Sequence, residues 1–292
     1  MGPGQKSARR RGVLLVLAAT LLWSLAGVFA RLVSHLDVWT VLGWRALLGS
    51  ASISVVGLFE WRRGRLDNPF AFGRLSPVVA LLAMVAISAY TASVMTTTIA
   101  DVMIIYATLP FVAAAIGYAV NREPVSPRTL IASGAALAGV AVMVASGLGS
   151  GRLLGQALSA LMTLCFAGMV VLQRRQPGAS MTAVNAIGAL GSGLFGLMNS
   201  PHPPVGFYDF AVLFVFGLTT IGLAFVLFME GAKFIPSAEA GLISLLDVVL
   251  GPIWVFLAFG ENPGALTVVG GAIVLLAALW RMAPDLRREQ VL

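Results

Sequence analysis

Residues 242–256 read LISLLDVVLGPIWVF, an apolar stretch with one carboxylate, Asp247, near its centre. An acid placed there can hold an ammonium group, or it can take up and release a proton. The structural alternative is a carboxyl hydrogen-bonded to a hydroxyl on a neighbouring helix. Residues 38–59 carry a single cation, Arg45, in the same manner. Its guanidinium is a candidate contact for a substrate carboxylate. Two plainer readings stand beside that one: a stem that reaches the interface, or an ion pair with Asp101 or Glu261. A charge inside a membrane costs at least about 2.5–3.5 kcal/mol on insertion scales, so each of these residues asks for a function. The stretch SAYTASVMTTT (88–98) adds hydroxyls, and Ser88, Thr91 and Met95 fall at i, i+3 and i+7 on one helical stripe. Tyr90, Met103 and Tyr106 lie close by in sequence, Trp23 sits in mid-run, and Ser244 lies one turn before Asp247. These are the candidate walls of a cavity, with ordinary packing as the alternative for each.

Several chemistries are missing. The two histidines, His35 and His202, fall outside the apolar runs, Cys165 is the single cysteine, and there is no HExxH or paired buried aspartates. No metal site, cofactor or catalytic centre is therefore expected, and an intramembrane hydrolase is disfavoured.

Composition identifies the solvent. The chain is 59% hydrophobic and 11% charged, where soluble domains carry about 25% charged residues, and its mean hydropathy is +0.93. Runs with no charge or almost none occur at 12–30, 75–100 and roughly 102–120, 129–151, 153–172, 180–200, 210–229 and 264–280. Two more, 38–59 and 240–260, contain only Arg45 and Asp247. Runs of about 17–25 apolar residues match a hydrocarbon core of about 30 Å. Helices alone fit, because barrel strands are about half as long and alternate strictly. The expected fold is an all-α polytopic membrane protein with ten transmembrane helices. The first run follows the basic KSARRR but is too long for a signal-peptide core, and is read as a retained helix.

Apart from Arg31, Arg45 and Arg152, every Lys and Arg falls in segments that alternate crossing puts on the side of the N-terminus. The positive-inside rule makes that side cytoplasmic, and an even number of spans returns the C-terminus to it. The same distribution accounts for the net charge of +7 without nucleic acid.

The chain also repeats itself. Residues 98–124 slide onto 234–262 at an offset of 138, setting Asp101 on Glu239 and Glu123 on Glu261. Residues 12–31 slide onto 155–174 at an offset of 143, setting Trp23 on Phe166 and Arg31 on Arg174. Each half, 1–148 and 149–292, then holds five helices. An odd number forces the second half to enter the membrane inverted, an arrangement found in secondary transporters with a midplane site. Under these offsets Asp247 meets Leu109, so the acid belongs to one half only. Glu123 and Glu261, at helix ends beside Pro and Asn, read as loop and repeat-hinge residues. Pro110, Pro236 and Pro252 are candidate kinks or hinges. GALGSGLFG (188–196) with Gly134, Gly139, Gly270 and Gly271 reads as close helix packing.

The opening LLWSLAGVFARLVSHLDVWTVLGWRALLG and the close LPFVAAAIGYAVNREPVSPRTLIASGAALAGVAVM resemble one EamA-type repeat, and DVVLGPIWVFLAFGENPGALTVVGGAIVLLAAL resembles the end of a second. Over nearly its whole length the chain resembles the drug/metabolite transporter superfamily, most of all YddG-type bacterial amino-acid exporters. It departs from the pattern at Val248, which replaces the counterpart of Pro110, and at Phe166, which replaces Trp. The resemblance implies a carrier in the bacterial inner membrane, working as a monomer by alternating access on a small-molecule substrate. Neutral or aromatic amino acids such as threonine, methionine or phenylalanine suit an apolar cavity with one acid and several hydroxyls. Efflux of organic cations and a passive facilitator or channel are the alternatives.

Overall fold

The computed structural model describes every residue except 1–2, 63–67, 69–70, 123–124, 148–150, 174, 177, 202, 233, 236 and 290–292. Glu123, Arg174, His202 and Pro236, singled out above, thus lie outside the described residues. Among those described, all regular structure is helical: α1 (Pro3–Ser24), α2 (Ala26–Leu32), α3 (Val38–Arg62), α4 (Ser76–Thr96), α5 (Ile99–Tyr106), α6 (Leu109–Asn121), α7 (Pro127–Gly147), α8 (Leu153–Gln173), α9 (Met181–Asn199) and α10 (Phe207–Gly217). A π-helical turn (Leu218–Leu223) follows, then α11 (Ala224–Ala232), α12 (Ser237–Ser244), α13 (Leu246–Phe259) and α14 (Ala265–Glu289). Among the described residues, eight stretches are long and apolar enough to cross a membrane, with α1–α2, α5–α6 and α10–α11 each counted as one. Two shorter apolar helical segments, Leu246–Phe259 and Ala265–Arg281, follow them.

Three of the apolar runs are interrupted in mid-course, and a fourth is locally underwound and widened by its π-helical turn. The break between α5 and α6 has a local cause: Pro110 stands in the first turn of α6, where its missing N–H and fixed φ start a helix and cannot continue one. The breaks at Leu25 and Leu245 have no proline beside them. Leu245 follows Ala107 by 138 residues, the offset at which the two halves align. Pro252 makes no break, since α13 runs through it to Phe259.

Glycine sets the closest helix contacts. A Cβ on Gly196 of α9 would stand 2.5 Å from the Gly43 amide nitrogen of α3 and 2.9 Å from the Trp39 carbonyl oxygen. On Gly139 of α7 it would stand 2.7 Å from the Gly270 carbonyl oxygen of α14. Gly134, expected in the same role, has nothing within 4 Å of that position among the described residues.

The helix partners follow a pattern. Runs two and seven pack together (α3 on α9), as do runs five and ten (α7 on α14). Run three lies on run six (α4 on α8), and run eight lies on run one (α11 on α1). Run four meets run six (α5 and α6 on α8), and run nine meets run one (α12 and α13 on α1). Exchanging the two halves maps each of these interfaces onto itself or onto another.

Candidate substrate site

Two turns into α3, Arg45 is 4% exposed. Its Nη1 donates to Thr91 Oγ1 of α4 at 2.8 Å and its Nη2 to Thr220 Oγ1 of the π-helical turn at 3.4 Å. The guanidinium carbon lies 4.3 Å from the Phe216 ring centroid and 5.2 Å from that of Tyr90, distances at which aromatic faces attract a cation. Both hydroxyls spend their protons on their own helices, Thr91 to the Ile87 carbonyl and Thr220 to that of Phe216. They are thereby fixed as acceptors toward Arg45. Nε has no hydrogen-bond partner among the described residues.

Neither plainer expectation for Arg45 holds. Its burial rules out a stem reaching the interface. Glu261 instead accepts from Arg31 Nε at 2.6 Å and from the Ile99 amide at 2.8 Å. Asp101, fully buried, accepts from Thr97 Oγ1 at 3.0 Å, Gln156 Nε2 at 3.1 Å, Thr267 Oγ1 at 3.2 Å and Arg152 Nη1 at 3.3 Å. Among the described residues no carboxylate pairs with Arg45.

The backbone around Arg45 is arranged by glycine and by the π-helical turn. A Cβ on Gly217 would stand 2.5 Å from the Arg45 carbonyl oxygen, so only glycine lets α10 come this close to α3. The widened turn that follows leaves the Thr220 carbonyl to accept from Trp23 Nε1 at 2.9 Å. Across the break at Leu25, Trp254 Nε1 of α13 donates to Ser24 Oγ at 3.0 Å.

Asp247 lies just past the break at Leu245, in the first turn of α13, and is 7% exposed. Its Oδ1 has no hydrogen-bond partner among the described residues. Tyr90 is within electrostatic range of both Arg45 and Asp247, and Tyr106 is within range of Asp247 and Tyr90. Tyr106 also faces Phe166, with ring centroids 6.1 Å apart. The structure thus links Arg45, Thr91, Tyr90, Tyr106, Asp247 and Trp23. It does not bring in all the others. Ser88 bonds Ser192 of α9 at 2.8 Å, Ser244 donates to its own helix at Ala240, and Met103 is buried. Met95 is half-buried against the central apolar cluster. Phe216 and Trp254 carry no chemical signal in sequence; Thr220 has a faint one, a hydroxyl pair flanked by Gly217 and Gly222.

A separate cavity of about 390 Å³ lies between α3, α9 and α10 and is lined by Thr40, Trp44, Ser200 and Phe210 among others. It holds no charged side chain, and Thr40 Oγ1 and Ser200 Oγ already bond each other at 2.5 Å. The buried charges lie elsewhere, and they define the candidate site.

A family model described as the EamA-like transporter family matches residues 10–145 and 153–282. The chain belongs to this family. It is accordingly a multi-pass membrane transporter of the drug/metabolite type. A solved crystal structure, described only as that of a protein, is 16% identical with a TM-score of 0.66 and covers 95% of this chain and 98% of its own. At that identity the likeness shows the fold alone. No curated protein matches the chain. In this EamA-like transporter the candidate site draws on both matched segments: Trp23, Arg45, Tyr90, Thr91 and Tyr106 come from the first, and Phe216, Thr220 and Asp247 from the second.

Thr91→Val tests the support of Arg45. It keeps the side-chain shape and removes the acceptor from Nη1, a loss of about 1.5–3 kcal/mol for a hydrogen bond to a charged group. A lower melting temperature of the substrate-free transporter in detergent is the expected result, with an unchanged elution profile.

Proposed function

We propose that this EamA-like transporter is a secondary carrier that exports neutral or aromatic amino acids across the bacterial inner membrane by alternating access. Its ten spans form two inverted five-helix repeats, 1–148 and 149–292, with both termini cytoplasmic. The observation that carries the reading is two buried ionisable side chains of opposite type, Arg45 and Asp247, one from each half. Each has a polar atom with no hydrogen-bond partner among the described residues, and Tyr90 interacts electrostatically with both. Burying an ion without a partner is costly, so the pair asks for a ligand with a charge at each end. A zwitterion meets both needs: its carboxylate suits the guanidinium and its ammonium suits Asp247. An organic cation would answer Asp247 and leave Arg45 unanswered.

The repeat reading is supported by helix partners that exchange when the halves are swapped, and by matched breaks at Ala107 and Leu245. Discontinuous helices beside a midplane site are a recurrent feature of such carriers. The deciding experiment is counterflow into proteoliposomes of purified protein, run with a panel of amino acids and organic cations, with and without a pH gradient. Saturable counterflow of amino acids is expected; uptake of organic cations alone would overturn the substrate, and flux without counterflow would indicate a channel.

A further inference from the structure

We infer that two joined ion-pair clusters, Arg31–Glu261 and Arg152–Asp101, form a clasp that shuts this carrier toward the outside. The inference rests on the inverted-repeat reading above and not on the identity of the substrate.

The first cluster ties four chain segments together. Arg31, in the last turn of α2, bonds Glu261, which follows α13, and its other nitrogens donate to the Val94 carbonyl at 2.6 Å and the Thr97 carbonyl at 2.8 Å at the end of α4. Glu261 in turn accepts from the Ile99 amide that opens α5. A cation thus meets the carbonyl end of one helix and an anion the amide end of the next, the favourable sense for both dipoles. The second cluster begins one turn further on. Asp101 of α5 gathers Arg152 and Gln156 at the start of α8 and Thr267 at the start of α14. Thr97 belongs to both clusters, its carbonyl accepting from Arg31 and its hydroxyl donating to Asp101. Together they fasten α2, α4 and α5 of the first half to α8, α13 and α14 of the second.

The repeat offsets separate this clasp from the substrate charges. At 143 residues Arg31 maps to Arg174 and Arg152 maps back to Arg9; at 138, Glu261 maps back to Glu123 and Asp101 maps to Glu239. All four charges recur with their sign. The same offsets carry Arg45 onto Gly188, Gln156 onto Val13 and Asp247 onto Leu109, so matching of polar residues is not general. Charges present in one half suit a single asymmetric ligand. Charges that recur in both halves suit the shared framework of the carrier and not its ligand. Glu123 and Arg174 lie outside the described residues, as does the side chain of Glu239, and they enter by sequence alone.

The test uses the full-length protein carrying Cys165→Ala, with Met95→Cys as the one thiol, in oriented membrane vesicles without substrate. A membrane-impermeant maleimide is applied from either face. Glu261→Gln and Asp101→Asn are each expected to raise the labelling rate from outside about tenfold and to lower it from inside, a shift within the usual range of conformational coupling. Unchanged outside labelling in both outer variants would overturn the proposal. So would faster labelling from both faces at once, the mark of a merely loosened protein. No amino acid takes part, so a failed transport assay would leave this result standing, and the converse holds.

Discussion

Arg45→Gln is expected to reduce amino-acid transport by roughly a hundredfold, because removing one member of a buried charged contact costs about 2–5 kcal/mol. Much of that cost is the other charge left unpaired, so the loss should depend on the substrate. An amine that has lost its carboxylate makes no demand on Arg45, and its transport should fall far less. Asp247→Asn is expected to show the mirror image: zwitterions and amines fail, and a carboxylate lacking the ammonium group is relatively spared. If Asp247 also carries a proton, Asp247→Asn abolishes uptake driven by a pH gradient while exchange partly survives. Radiolabelled counterflow with paired substrates measures all of this. Wild-type transport in Asp247→Asn would remove both the ammonium role and the proton role. Equal losses for every substrate in both variants would show general damage and not recognition.

The second large effect concerns the fold. Gly196→Leu places a side chain against the backbone of Gly43 and Trp39, where a Cβ already meets the amide nitrogen at 2.5 Å. Backbone cannot rotate aside as a side chain does, so α9 and α3 must separate along their shared face. Overpacking costs typically about 1–3 kcal/mol, and an obstructed backbone contact belongs at or above the top of that range. The expected result is loss of the monodisperse peak on size exclusion, or a melting temperature lowered by many degrees. Gly134→Leu is the control, since no described residue lies within 4 Å of its would-be Cβ. It should behave as the parent does, and similar damage in both variants would refute the packing argument.

What the sequence revealed and what it hid divide along physical lines. The apolar runs announce the spans because lipid selects on composition, and composition is local. Pro110 announces a break for a local reason as well, its missing N–H. The break at Leu245 has no such mark, and Pro252, which has one, leaves α13 whole. A proline inside a membrane helix is tolerated when neighbouring groups satisfy the backbone it frees, and the neighbours are a tertiary matter. Arg45 shows the same limit. Its residue type flagged it, but the expected partners Asp101 and Glu261 were taken by Arg152, Gln156, Thr267 and Arg31 from distant parts of the chain. The π-helical turn that supplies Thr220 had only its hydroxyl pair between glycines as a signal.

The exchange of partners between the two halves has a consequence for biosynthesis. The chief neighbours of α3, α4 and α7 are α9, α8 and α14, all made later. The N-terminal half therefore enters the bilayer with glycine-lined faces such as that of Gly43 still uncovered. At a synthesis rate of about 5–20 residues per second, α3 waits on the order of 10–30 s for α9. During that interval the half-made transporter is a set of adhesive helices without a core. Its proper assembly then depends on the ribosome finishing before another membrane protein, or a second nascent copy, offers the same small-residue groove.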